Sequence, residues 1–246
     1  MRLDKFIGKS TTLSKAQTIE ALLNNQVSVN GVVVSKAAFQ VHANNQVALD
    51  GTVLVLRPFR YLLMNKPANT ICANVDQVYP SALHLLSKEN EDMRQSPHST
   101  ALLKEGSDLH IAGRLDADTT GLILITDDGS WTFNITLPSN DCKKVYRVGL
   151  SRPFHAGIIE QFEQGIQLQG ETGLTLPATV EQITKKDVLL TITEGKFHQV
   201  KRMFAAVGNR VVSLHREQIG DVKLDVALGK WRFLTPLEVT SFDSKV

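Results

Sequence analysis

Apolar and polar positions change their period several times along this 246-residue chain. Ala16, Ile19, Leu22 and Leu23 recur at helical spacing, and Ser14 stands where a side chain caps a first turn, so a helix is predicted from Ser14 to the Asn24-Asn25 pair. The next stretch alternates instead. Val27-Ser28-Val29 and Val32-Val33-Val34 flank Asn30-Gly31, a pair that tolerates the positive φ of a tight hairpin turn. Val47-Ala48-Leu49 and Thr52-Val53-Leu54 repeat the arrangement about Asp50-Gly51. Residues 1–56 therefore read as one small unit, and Arg57-Pro58-Phe59-Arg60, basic and stiffened by proline, as its linker.

From Tyr61 the pattern belongs to a larger unit, residues 61–240. Strand-like runs fall at 61–65, 122–126, 144–150, 188–192, 211–214 and 231–234. Helical periodicity appears at 158–162 and at 197–207, the second closed by Gly208. Along 197–207, Phe197, Val200, Phe204 and Val207 form the apolar face, leaving His198, Lys201 and Arg202 on the other. Strands and helices do not alternate regularly, which predicts an α+β fold, a mixed and mostly antiparallel sheet flanked by helices, over a doubly wound one. Residues 87–107 are polar and charge-rich and read as an exposed loop.

The composition, 42% hydrophobic and 21% charged, is that of a globular protein. No apolar run approaches the roughly 20 residues that span a bilayer. The first residues lack the apolar core of a secretory signal. Cys72 and Cys142 are far apart and form no CxxC pair, so a reducing cytoplasm is the expected location and no membrane is expected as a partner. A net charge of +2 names no partner. Residues 1–60 and 194–216 nevertheless each carry a surplus of four positive charges, a pattern that fits phosphate contacts as well as plain solubilising faces.

Several motifs are excluded. Gly8-Lys9-Ser10-Thr11 has the ending of a phosphate-binding P-loop, but Leu3 stands where that loop needs a glycine, and the segment precedes the predicted first helix. The seven histidines form no HxxxH or HExxH arrangement, and no GxSxG elbow is present.

The most informative stretch is GRLDADTTGLILITDDG, Gly113 to Gly129. It places Arg114, Asp116 and Asp118 in a loop that enters a β-rich run, which suits a salt-bridged turn as well as a site at the end of a buried sheet. This stretch resembles the signature of the RsuA-type pseudouridine synthases. Three further segments match that family in order: Asn65-Lys66-Pro67, Lys143-Lys144-Val145-Tyr146, and Glu194 through Phe204, read as EGKFHQVKRMF. The first 56 residues resemble an S4-type RNA-binding domain. Two positions depart from the pattern: Lys15 stands where the S4-type pair Ser-Arg has its arginine, and Asn69 where the early element has a glycine.

The resemblance implies an isomerase that converts a uridine to pseudouridine in 16S, small-subunit ribosomal RNA, without a cofactor or metal. It implies Asp116 as the group acting on the ribose, Lys201 as its basic partner and Tyr146 against the uracil. It further implies RNA contacts for Arg114, Lys66 and Arg202, and for Arg2, Lys5 and Lys15 in the S4-like unit. Lys66 also reads as a cap for its turn, Arg202 as part of a solvated face, and Asp118 and Thr119 as residues that shape the loop. The expected substrate is rRNA within a small-subunit assembly intermediate, and the enzyme is expected to act as a monomer. Two alternatives stay open: the same chemistry on 23S rRNA or tRNA, and an S4-type ribosome assembly factor without catalysis.

Overall fold

The computed structural model describes residues 1–86 and 109–243, so the predicted loop at 87–107 lies outside the described residues. The chain divides into two compact units, Met1–Phe59 and Arg60–Val246.

In the first unit two helices, α1 (Leu3–Ser10) and α2 (Lys15–Leu23), join a four-stranded sheet. Its strands β1 (Val27–Val29), β2 (Val32–Val33), β3 (Val47–Leu49) and β4 (Thr52–Val53) run in the order β2-β1-β3-β4, all pairs antiparallel. Both predicted turns form, with Asn30 at φ 51° and Asp50 at φ 48° ahead of their glycines. Ser14 caps α2 reciprocally: its hydroxyl accepts from the Gln17 amide at 3.3 Å, and the Gln17 side chain accepts from the Ser14 amide at 2.9 Å. Gly8, Lys9 and Ser10 lie inside α1, a helix that precedes the predicted first one. Its spacing was hidden because only Leu3 and Ile7, one turn apart, are buried apolar residues within it.

The second unit is built on a nine-stranded sheet. Its strands are β5 (Tyr61–Lys66), β6 (His110–Ala112), β7 (Thr120–Thr126), β8 (Lys144–Leu150), β9 (Thr179–Gln182), β10 (Asp187–Ile192), β11 (Val211–Ile219), β12 (Val222–Lys223) and β13 (Trp231–Phe233). The main path runs β13-β5-β7-β11-β8-β10-β9, with β6 added on β7 and β12 on β11. Among these pairs only β7 with β11 is parallel. Among the described residues the unit also has helices α3 (Gly129–Thr136), α4 (Ile159–Gln164), α5 (Gln199–Ala206) and α6 (Pro236–Thr240).

Both faces of the central strands are covered, which is why β5 and β7 read as unbroken apolar runs. Ile123 and Ile125 of β7 join one core with Val200, Met203 and Phe204 of α5. Leu122 and Leu124 join a second core with Trp131 and Ile135 of α3. Gly121 lets the parallel pair close up, because a Cβ there would overlap the Arg216 backbone.

Three expectations need correction. Arg60 is no linker residue: it is buried, its guanidinium is 2.9 Å from the Asp127 carboxylate, and its amide donates to the same group. The strand at 211–214 continues to Ile219, since edge-to-edge pairing with β8 carries it through polar positions. Phe197 leaves the apolar face of its helix altogether, because α5 begins only at Gln199 and Met203 fills the buried face instead. The elements β6, β9, β12, α3 and α6 are too short or too polar to show a period. No helix among the described residues is long and apolar enough to cross a membrane.

Candidate active site

The loop 113–119 leaves β6 and enters β7, and its position is fixed from behind. The Ala117 carbonyl accepts from the Asn69 amide at 2.8 Å and from the Lys66 ammonium at 3.4 Å. Asn69 holds φ 61°, so the departure from glycine at this position still gives the left-handed turn. The Leu115 amide donates to Cys72 Sγ at 3.3 Å, and the Thr119 amide donates to the Asp116 carbonyl at 3.1 Å. These bonds leave the Asp116 side chain 28% exposed and turned toward α5.

Lys201, on the first turns of α5, meets it there. Its ammonium donates to Asp116 Oδ2 at 2.9 Å and to Asp118 Oδ1 at 2.7 Å. Partial burial alone would lower the Lys201 ammonium, but its bonds to Asp118 and Asp116 carry it above its usual value. The same contact holds the Asp118 carboxyl below the usual carboxylate range. His198 completes the group, with Nε2 3.5 Å from Asp116 Oδ1. Two segments far apart in sequence thus place two carboxylates, one ammonium and one imidazole within reach of a single ligand.

Behind the loop the charge is positive. Lys66 has no exposed surface and bonds to the Pro67 carbonyl at 2.9 Å and the Thr70 hydroxyl at 3.4 Å. Burial lowers its ammonium below the usual value. The structure thus puts Lys66 where it braces the turn, away from the surface a phosphate would approach. Arg216, 2% exposed, donates through Nε to the Leu122 carbonyl at 2.7 Å and through Nη1 to the Tyr146 hydroxyl at 3.2 Å. Its Nη2 has no hydrogen-bond partner among the described residues. Tyr146 is itself buried in the sheet layer that faces α5.

Of the other expected residues, Arg114 is exposed on the loop. Arg202 is tied down: it donates to the Glu171 carboxylate at 3.1 Å, the Phe197 carbonyl at 3.1 Å and the Gln169 carbonyl at 2.6 Å. Arg2, Lys5 and Lys15 are exposed on the first unit, Arg2 paired with Asp4 at 2.8 Å. The local basic surplus is therefore partly internal, since Lys9, Arg60 and Arg216 are buried. Two site residues are not singled out by the sequence. His198 was visible only as one polar position of a motif, and Arg216 follows His215 in a polar stretch where no spacing marks a buried side chain. No cluster of His, Cys, Asp and Glu suited to a metal occurs among the described residues.

Comparison with known proteins places the chain as a whole. A family model described as RNA pseudouridylate synthase matches residues 60–206. The chain is 45% identical over 243 residues to the ribosomal small subunit pseudouridine synthase A of Vibrio cholerae serotype O1, covering 98% of this chain and 99% of that one. It is 44% identical over 244 residues to the protein of the same name from Escherichia coli K12, with the same two coverages, 98% and 99%. A crystal structure titled as a pseudouridylate synthase superposes with a TM-score of 0.66 at 38% identity, covering 98% of this chain and 99% of the other.

Proposed function

Because the chain belongs to the RNA pseudouridylate synthase family, we propose that it converts a uridine of 16S, small-subunit ribosomal RNA to pseudouridine, with Asp116 acting on the ribose. One observation carries the reading: a partly exposed carboxylate held 2.9 Å from a lysine ammonium, in a loop whose backbone is fixed from behind.

The reaction breaks the N1–C1′ bond, turns the freed uracil and joins its C5 to C1′, while C5 loses a proton and N1 gains one. Nothing is oxidised, reduced or passed to a second molecule, so side chains suffice. Asp116 either attacks C1′ or takes the C2′ proton, and both routes begin from a carboxylate beside the sugar. Lys201 supplies the opposite charge and fixes the oxygen that it binds. Lys66 and Arg216 give the site a positive floor, which favours negative charge on the detached uracil in a water-poor setting. Tyr146 takes the uracil face, its hydroxyl oriented by Arg216.

The uridine must leave its stack to reach Asp116, at a cost of a few kcal/mol. Arg114 is placed to hold the displaced backbone or the vacated stack. The first unit, with Arg2, Lys5 and Lys15 exposed, acts as the S4-like RNA dock, and its contribution falls as salt rises. The names of relatives that match along 98% of the chain favour the small subunit over 23S rRNA or tRNA. The intact Asp116–Lys201 contact favours an enzyme over a non-catalytic assembly factor.

Pseudouridine mapping of total RNA from cells with and without the gene tests this. One 16S position should lose its pseudouridine, and re-expression of the wild-type chain should restore it. Loss in 23S rRNA or tRNA would move the reading to the second substrate class, and no loss anywhere would overturn it.

A further inference from the structure

Phe197 sits one residue from the group that meets Asp116, yet it is 73% exposed. An aromatic ring so placed gains little from folding and leaves apolar surface in water. Its ring lies on that of His198, with centroids 3.8 Å apart and planes at 20°. His198 in turn has its Nε2 3.5 Å from Asp116. The arrangement is held at some cost, since His198 takes a left-handed backbone (φ 48°, ψ 33°) that side-chain-bearing residues avoid. Arg202 fixes it from below by donating to the Phe197 carbonyl, and the Gln199 side chain fixes it by accepting from the Lys196 amide at 2.8 Å. A two-ring stack therefore starts at the edge of the Asp116 carboxylate and ends with an open ring face.

We propose that the Phe197–His198 stack is a binding subsite for a nucleobase that flanks the target uridine in the RNA. The inference rests on the proposed function and deepens it. A uridine with its ribose at Asp116 brings its neighbours on the strand within one nucleotide of that carboxylate, which is the distance the stack covers. Every base has a π-face, so the open face of Phe197 accepts it whatever its identity. Exposed Arg114 and partly exposed Lys196 and Lys201 lie on the same two segments and suit the phosphates on either side of such a base. Extrusion of the uridine costs its neighbours a stacking partner, and the open ring replaces it.

The test is a double-mutant cycle on a short RNA spanning the mapped uridine, with each flanking nucleotide in turn made abasic. Phe197→Ala should raise KM roughly 5- to 150-fold, the range that base stacking of about 1–3 kcal/mol converts to. Phe197→Tyr should restore most of it and Phe197→Leu much less. At one flanking position the abasic RNA should cost the wild type a similar factor and cost Phe197→Ala almost nothing more. Additive losses at every flanking position, an unchanged KM, or full rescue by leucine would overturn the proposal. Melting temperatures confirm that the exposed variants fold. If the wild-type chain makes no pseudouridine in that RNA, the parent reading fails; if it does and the cycle is additive, the subsite alone fails.

Discussion

Residues 113–120 are anchored through their backbone, whereas residues 194–202 are anchored through side chains that leave the tip of the segment in solvent. In the first, the amides of Leu115 and Thr119 and the carbonyl of Ala117 are all bonded, and Gly121 lies against the Arg216 backbone. In the second, the Glu194 carboxylate accepts from the Leu176 amide and from Gln199, each at 2.8 Å, and Arg202 ties down the turn. Phe197 and His198 are then free to face outward. A loop held by its main chain delivers one chemical group to one place. A turn held by side chains presents rings and charges that a ligand can meet.

If that division is right, the largest effect belongs to the first segment. Asp116→Asn keeps the shape and removes the charge, and it should cut pseudouridine formation by about 10⁴-fold or more while the chain still melts and binds RNA as before. A rate within tenfold of wild type would show that the loop serves structure only. Lys201→Met comes next, at about 10²-fold in kcat, the scale of losing one preorganised charge in an active site. An effect as large as that of Asp116→Asn would make the lysine a participant in the chemistry and erase the contrast between the segments.

The Lys201 contact also has a pH signature in stability. The ammonium is raised above its ordinary 10.5, so its contribution is present below that value and lost as pH rises through the higher one. The Asp118 carboxyl is lowered below its ordinary 3.8, so its contribution is present above that value and lost as pH falls through the lower one. The difference in melting temperature between wild type and Lys201→Met should then be flat from about pH 5 to 9 and shrink at both extremes. Added salt should reduce it, since the group is partly exposed. A difference that instead peaks sharply near neutrality would point to another titrating group.

The two segments were not equally legible in the sequence. Asp116 and Lys201 stand in recognisable motifs, and the strand that the loop enters is a short apolar run of the kind that a strand buried on both faces produces. The turn before α5 is hidden in the sequence because Phe197 continues the period of Val200 and Phe204, and spacing does not report where a helix starts. The left-handed His198 sets that start, and nothing in an apolar pattern encodes it. Lys66 and Arg216 look like surface cations in any charge count, yet both are enclosed. Their burial depends on a turn and a parallel strand pair brought together from distant parts of the chain.

Arg202 gives the smallest expected effect and the sharpest reading of how the second segment works. All three of its bonds go to the protein: Glu171, the Phe197 carbonyl and the Gln169 carbonyl. Arg202→Ala should therefore lower stability by about 1–2 kcal/mol, seen in thermal melting, and change kcat by less than about threefold, well below the loss at Lys201. No phosphate contact is lost, so the slope of log affinity against log salt should stay at its wild-type value. Lysine should not substitute, because one ammonium cannot span three acceptors that the planar fork reaches together. A salt slope that falls by about one unit would instead place the guanidinium on RNA, and then the outward face of the segment extends past Phe197 to Arg202 itself.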